Sequence, residues 1–235
     1  MVKTELNKRS PLRVFEKSIN GGVGKGNIGV VASKKGVGKT ACLVHIATDK
    51  LFRDRHVIHV SFAQKVDHII NWYEDIFKEI AKKRELENAV DVHDEIIKNR
   101  VIMNFNREGT SVDQVIASLK AMIVDGKFAA DSVIFDGYDV SDAAADDLAA
   151  IKAFAGEQNL EIWFSASLKG QDPVFLENGV PAELADRIDN IDVLITLKFE
   201  GDYVRLQVVK DHDNLETKDM NLRLEPKTML IAREQ

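Results

Sequence analysis

The chain has 235 residues, and with 45% of them hydrophobic it can bury the core of one α/β domain. Its formal net charge of −6 argues against a nucleic-acid-binding face spread over the whole surface, and its single cysteine, Cys42, excludes an intramolecular disulfide. No apolar stretch is long enough to span a bilayer and no signal-peptide region is present, so we expect a cytoplasmic protein without a membrane partner.

The first patterned element follows residues 1–11, which we expect to be flexible. Residues 28–40 read IGVVASKKGVGKT, so that a strand-like apolar run enters a glycine-rich turn and an amphipathic helix follows. This is the arrangement of a phosphate-binding loop, in which backbone N–H groups and a helix N-terminus hold a nucleoside triphosphate. The context favours nucleotide binding over a lysine-rich surface turn that matches the motif by chance.

Each residue type in this loop has an expected role. Gly36 and Gly38 let the backbone approach the phosphates, Lys39 is expected to reach the β- and γ-oxygens, and the Thr40 hydroxyl is expected to ligate Mg²⁺. Ser33 stands where the motif has its first glycine, and we expect tolerable backbone strain there. The predicted nucleotide-binding residues are Ser33, Lys34, Lys35, Gly36, Val37, Gly38, Lys39, Thr40 and Ala41.

Strand-like runs and helical patterns alternate after the loop, which predicts a mostly parallel central sheet with helices on both faces. We predict a long helix after Val66, a helix opened by a capping box of Ser111 and Gln114, and an alanine-rich helix capped by Ser141. Short strands from residue 191 onward predict a C-terminal antiparallel extension of the sheet. The predicted strands before that point are 56–63, 100–105, 132–136 and 160–165.

Asp136 ends the predicted strand SVIFD. Nucleotide-binding sheets place an aspartate at this position beside the phosphate loop, where it orients Mg²⁺ through its water shell. Aspartate is also common in turns, and Asp139 is the alternative. We therefore predict Lys39 and Asp136 as catalytic residues, and Thr40 and Asp136 as the magnesium site.

Three segments resemble the RecA/KaiC/DnaB-type ATPase core. GGVGKG at 21–26 is similar to the turn before the phosphate loop in KaiC- and DnaB-like proteins, SVIFD is similar to their Walker B strand, and VRLQVVKDH at 204–212 is similar to a late strand that ends in Lys-x-Arg. The resemblance implies a single RecA-like P-loop domain over residues 1–235. It also implies ATP or ADP and Mg²⁺ near a subunit boundary in a homo-oligomer.

The phosphate loop also resembles that of the ParA/MinD group, in which an extra lysine, here Lys34, contacts phosphates. In this chain Lys35 replaces a glycine of that group's motif. The loop also begins 33 residues into the chain instead of near its start, so we consider this alternative the weaker one.

The chain departs from the RecA-like pattern at two further positions. Ala63 stands where the family has the glutamate that activates the attacking water, and neither Gln64 nor Asp67 matches that position. His212 stands where the family has arginine, and histidine is mostly neutral at pH 7. The sequence therefore predicts a protein that binds ATP·Mg and uses it to control conformation or assembly, with slow or absent hydrolysis.

Two other functions remain open, an active ATPase of the recombinase or helicase-loader type acting on DNA, and a nucleotide-independent interaction module. Residues 168–190 occupy the place where RecA-like proteins bind DNA, but their acidic residues outnumber Lys169 and Arg187. We therefore expect a protein partner or a neighbouring subunit there and no nucleic acid. Ser165 and Ser167 end the fifth strand either as a polar sensor of the γ-phosphate or as hydroxyls bonded to their own backbone.

Overall fold

The computed structural model describes residues 2–62, 65–170 and 172–234, and for residues 2–5 the backbone only. The strands in these ranges are β1 (Ile28–Lys34), β2 (Val57–Ser61), β3 (Arg100–Asn104), β4 (Ser132–Asp136), β5 (Glu161–Leu168), β6 (Val193–Glu200), β7 (Tyr203–Asp211), β8 (Lys218–Glu225) and β9 (Leu230–Arg233). The helices are α1 (Val2–Arg9), α2 (Leu12–Ser18), α3 (Lys39–Phe52), α4 (Asp67–Lys83), α5 (Ala89–Ile96), α6 (Val112–Lys120) and α7 (Ala145–Glu157).

The described strands form one sheet in the order β3-β2-β4-β5-β1-β6-β7-β8-β9. The first six of these are parallel to their neighbours, whereas β7, β8 and β9 each run antiparallel to the preceding strand. Strand β1 lies in the middle, where Val31 pairs with Ser165 on one side and Ile195 on the other. The predicted fold class, a mostly parallel sheet with an antiparallel C-terminal extension, is confirmed.

Helices cover both faces of the sheet. Buried side chains of α1 to α5 share one core with Val31, while those of α6 and α7 share the second core with Val30 and Ala32. Because both faces are covered, the central strands read as continuous apolar runs instead of alternating ones. Within the part of the chain that the structure describes, no helix is long and apolar enough to cross a lipid bilayer.

The helix starts show which local signals were sufficient. The capping box is confirmed, since the Ser111 side chain accepts from the Gln114 N–H and the Gln114 side chain accepts from the Ser111 N–H. The prediction that Ser141 caps the alanine-rich helix is wrong, because α7 begins only at Ala145. The Ser141 hydroxyl instead donates to Asp139 Oδ1 at 2.7 Å, within the turn that precedes the helix.

The N-terminal segment packs on the domain, whereas we expected residues 1–11 to be flexible. Leu6 on α1 is buried, and the Asn7 amide donates to the Phe52 carbonyl at 3.1 Å. The Ser10 hydroxyl donates to Asp49 Oδ1 at 2.5 Å. These contacts attach the segment to α3, the helix that follows the phosphate loop.

Residues 168–190 are irregular as predicted, but not without structure. Phe175 forms an isolated bridge with Pro181, and a 3₁₀ helix spans Ala182–Asn190. Two further short segments flank predicted elements, a 3₁₀ turn at Ile97–Asn99 and a π turn at Ala121–Asp125. Helix α5 was not predicted from the sequence.

Candidate functional site

The glycine-rich turn links the carboxyl end of β1 to the first residue of α3. Gly36 and Gly38 adopt φ values of 83° and 117°, in the left-handed region that only glycine enters at little cost. A Cβ on Gly38 would also collide with the Leu224 side chain. Both glycines are therefore required by the backbone path itself, and the turn lies open at the edge of the sheet.

Ser33 does not carry the backbone strain that we expected. It belongs to β1, where it pairs with Ser167 of β5, and it is absent from the described non-glycine residues with positive φ. Its hydroxyl donates to the Lys34 carbonyl at 3.1 Å. Because β1 continues through Lys34, the sharp turn begins one residue after Ser33, and an ordinary strand residue fits there.

Lys39 is 8% exposed and turns back over the loop. Its ammonium donates to the carbonyl oxygens of Ser33 at 3.1 Å and Lys34 at 3.0 Å. Burial lowers the pKa of Lys39 to about 8, and the nearby Asp136 carboxylate offsets part of this effect. The loop thus holds a cation that lacks a direct ionic partner among its hydrogen-bond acceptors.

Three side chains from different elements meet at the end of β4. The Thr40 hydroxyl donates to Asp136 Oδ2 at 2.9 Å, and the Ser165 hydroxyl donates to Asp136 Oδ1 at 2.7 Å. Ser165 also accepts from the Gly137 N–H at 3.0 Å, so its partner lies across the sheet and not on its own backbone. Hydroxyl and carboxylate oxygens are the ligands that Mg²⁺ prefers, and Thr40 and Asp136 supply one of each.

An open cleft of about 1100 Å³ runs across the loop and the ends of β3, β4 and β5. Several of its lining residues were not predicted: His68 and Trp72 of α4, Asn104, Asn106, Arg107 and Glu108 after β3, and Met229 before β9. They belong to separate segments and form no motif, so no sequence signal would have grouped them.

The carboxylates considered as replacements for the missing glutamate lie elsewhere. Asp139 accepts from Arg107 at 2.9 Å and from Ser141, and so it is already engaged. Asp67 is exposed at the start of α4 and is not among the residues that line the cleft. Ala63 and Gln64 lie outside the described residues.

The late element of the RecA-like resemblance lies at the opposite edge of the sheet. Val193 pairs with both Gly29 and Asp211, so Lys210 and His212 are level with the start of β1. Five residues separate Gly29 from Lys34, which places this edge about 17 Å from the loop. His212 contacts Asp211 Oδ1 at 2.7 Å and the Val23 carbonyl at 3.1 Å, and it does not reach the phosphate loop of its own chain.

The sequence matches no protein-family model and no curated protein. Its structure, in contrast, is similar to the solved structure of the ATPase domain of a DnaB-like helicase, with a TM-score of 0.70 at 15% sequence identity. The similarity covers 94% of this chain and 89% of that chain. Together with the strand order and the antiparallel extension, it shows that the chain has the RecA-like fold of the P-loop ATPase core.

Proposed function

We propose that the chain binds ATP and Mg²⁺ at the cleft and uses the bound nucleotide to control its conformation or assembly, with slow or absent hydrolysis. The observation that carries the proposal is the meeting of Lys39, Thr40 and Asp136 at one edge of the sheet. An ammonium, a hydroxyl and a carboxylate in that arrangement match a triphosphate with its metal ion.

The loop fits a phosphate chain. Its backbone turns at Gly36 and Gly38, and no atom lies within 4 Å of the position where Gly36 would carry a Cβ, so this side of the turn is open to a ligand. The N-terminus of α3 follows at once, and its unpaired N–H groups favour an anion. Lys34, Lys35, Val37 and Ala41 are proposed to contribute mainly through their backbone.

The oxygens of Thr40 and Asp136 fit a divalent cation. When bound, Mg²⁺ would neutralise part of the phosphate charge. The residues of the chain hold the oxygens in place: Ser165 fixes one Asp136 oxygen, and Thr40 is fixed by the first turn of α3.

The proposal of slow hydrolysis rests on the carboxylates of the cleft. Among its described lining residues these are Asp136 and Glu108. Both oxygens of Asp136 already accept hydrogen bonds, and Glu108 is exposed at the rim. Position 63 is an alanine, which cannot accept a proton whatever its conformation.

Residues 168–190 support a protein partner, including a neighbouring subunit. Lys169 pairs with Asp142 at 2.6 Å, and Arg187 donates to the Ala143 carbonyl at 3.1 Å, so both cations of the segment are engaged. Val174 and Phe175 are exposed by 68% and 48%, an apolar surface unsuited to a phosphate backbone. The fold alone does not decide between protein and nucleic acid, nor does it bear on the cytoplasmic location that we propose.

Calorimetric titration with ATP and ADP, with and without Mg²⁺, followed by single-turnover hydrolysis tests the proposal. We expect saturable binding of both nucleotides and bound ATP that persists for minutes. Multiple-turnover phosphate release stimulated by DNA would instead select the active ATPase. No nucleotide-dependent rise in melting temperature, with Lys39→Ala indistinguishable from the parent chain, would select the interaction module.

A further inference from the structure

A second cavity lies behind α3, away from the cleft. It has a volume of about 300 Å³ and is lined by α1, the second half of α3, the end of α4, β8 and β9. Five cationic side chains surround it: Arg9, Lys83, Arg84, Arg223 and Arg233. We call this cavity the basic pocket.

The acidic side chains at the basic pocket do not balance these cations. They are Asp49 and Glu225. Asp49 bonds to Ser10 and pairs with Arg13, a cation that does not line the pocket. Glu225 lies 3.5 Å from Lys83. The pocket therefore keeps an excess of positive charge, in a chain whose formal net charge is −6.

The arginines at the mouth of the basic pocket face one another. The Arg84 guanidinium donates to the backbone carbonyl of Arg9 at 2.7 Å. Burial lowers the pKa of Arg84, and the positive charges of Arg9 and Arg233 lower it further. Like charges repel when they are held this close, and an anion placed among them would remove the repulsion.

His45 reports the same positive field from inside the protein. It is fully buried on α3, and its Nδ1 accepts from the Ile231 N–H at 3.0 Å. Burial lowers the pKa of His45 to about 3, and Lys83 and Arg84 contribute to the shift. His45 is thus neutral near pH 7 and stabilises the wall of the pocket without adding charge.

The inner wall of the basic pocket is apolar. Leu6, Phe52 and Leu230 line it, and each is at most 8% exposed. Within the described residues, Arg223 also has a buried Nε atom without a hydrogen-bond partner. An apolar wall with a few convergent polar groups is the usual composition of a small-molecule site.

We propose that the basic pocket binds a small phosphate monoester, with the phosphate among Arg9, Arg84 and Arg233 and an aromatic or aliphatic group against the apolar wall. Arginine suits phosphate because its planar fork can donate two parallel hydrogen bonds. A nucleic-acid backbone would need cations along an extended track, whereas these surround a single cavity.

This site is separate from the nucleotide site. Lys39 and Thr40 begin α3, whereas Asp49 lies ten residues further along the same helix, or about 15 Å. The basic pocket and the cleft share no lining residue. The proposal therefore does not depend on the function proposed for the cleft.

Calorimetry with phenyl phosphate as the probe tests the proposal. The titrated protein is the full chain carrying Lys39→Ala, so that the phosphate loop does not take up the probe. Inorganic phosphate and benzyl alcohol serve as probes that lack the apolar or the anionic part. We expect phenyl phosphate to bind more tightly than either, by about tenfold or more. Arg84→Met and Arg233→Met should each weaken its binding about tenfold or more, because each removes charge-assisted hydrogen bonds.

Lys98→Met is the matched control, since Lys98 is exposed and distant from the pocket residues. It should leave the affinity for phenyl phosphate unchanged. Arg233 is exposed on the last described strand, and so its variant remains informative if Arg84→Met fails to fold. The proposal is overturned if phenyl phosphate gives no heat, or if neither arginine substitution alters it. It is equally overturned if only a single-stranded oligonucleotide binds in a manner sensitive to Arg84.

Discussion

The cleft and the basic pocket both present positive charge, but they are built in different ways. The cleft relies on the backbone of one short loop, one lysine and the N-terminus of α3. The basic pocket relies on side chains that the sequence spreads from Arg9 to Arg233. Recognition by backbone requires a fixed local order of glycines, whereas recognition by side chains requires only that the fold brings them together.

The two regions also differ in charge balance. In the cleft, the Asp136 carboxylate raises the pKa of Lys39 against the effect of burial, and both groups suit a metal-bound phosphate. In the basic pocket, Arg84 is flanked by the cations Arg9 and Arg233. We therefore expect the cleft to depend on Mg²⁺ and the basic pocket to bind its anion without metal.

The largest effect should come from Lys39→Ala, which removes the cation of the cleft. We expect the affinity for ATP·Mg to fall by about 100-fold or more, because hydrogen bonds from a buried ammonium to phosphate are lost. The rise of melting temperature with ATP should vanish. Lys98→Ala, at an exposed lysine outside the cleft, should retain both. An unchanged ATP response in Lys39→Ala would end the comparison between the two regions.

Asp136→Asn should separate metal-dependent from metal-free binding. We expect the affinity for ATP with Mg²⁺ to fall about tenfold, and the affinity without Mg²⁺ to change much less, because the carboxylate is proposed to hold the metal. Calorimetry with and without Mg²⁺ measures both. The control is Asp139→Asn, since Asp139 pairs with Arg107. An equal loss under both conditions would remove Asp136 from the metal site.

The affinity of the cleft should depend on pH in the direction set by Lys39. Its pKa of about 8 means that the ammonium loses its proton as the pH rises through that value. Affinity for ATP should then fall by up to about tenfold per pH unit above 8, while phenyl phosphate binding to the basic pocket stays constant over the same range. Titrations between pH 7 and 9.5 check this, and a flat profile for ATP would contradict it.

The same pKa affects the stability of the nucleotide-free protein with the opposite trend. The folded pKa of Lys39 is below its ordinary value of 10.5, so the unfolded chain binds more protons between about pH 8 and 10.5. This residue therefore makes the free energy of unfolding rise with pH in that window. Denaturation of Lys39→Met should lack this contribution, and an identical pH dependence in both proteins would be inconsistent with the lowered pKa.

The smallest effect is expected from Ser165→Ala. It removes one hydrogen bond to Asp136, so the affinity for ATP·Mg should fall about fivefold. Ser167→Ala is the matched control, because Ser167 lines the cleft without a hydrogen bond to Asp136. If both substitutions have the same effect, Ser165 acts through the general polarity of the cleft and not by orienting the carboxylate.

Local sequence signals were sufficient where the physics is local. The capping box at Ser111 depends on residues three apart, and it was found. Ser141 carried the same type of signal but lies in a turn that ends with α7 starting at Ala145, so distant packing decided that helix start. Residues 1–11 showed no strong pattern, yet Leu6 packs against a surface made by other segments.

By itself, the sequence determined the parallel sheet, the antiparallel extension and the phosphate loop, because hydrophobic periodicity and glycine positions are properties of consecutive residues. Only the tertiary structure decided that Thr40 and Ser165 hold the two oxygens of Asp136, and that Lys210 and His212 lie at the far edge of the sheet. It also decided that five cations spread along the chain surround one cavity. Contacts of this kind depend on strand order and helix packing, which no short stretch of sequence encodes.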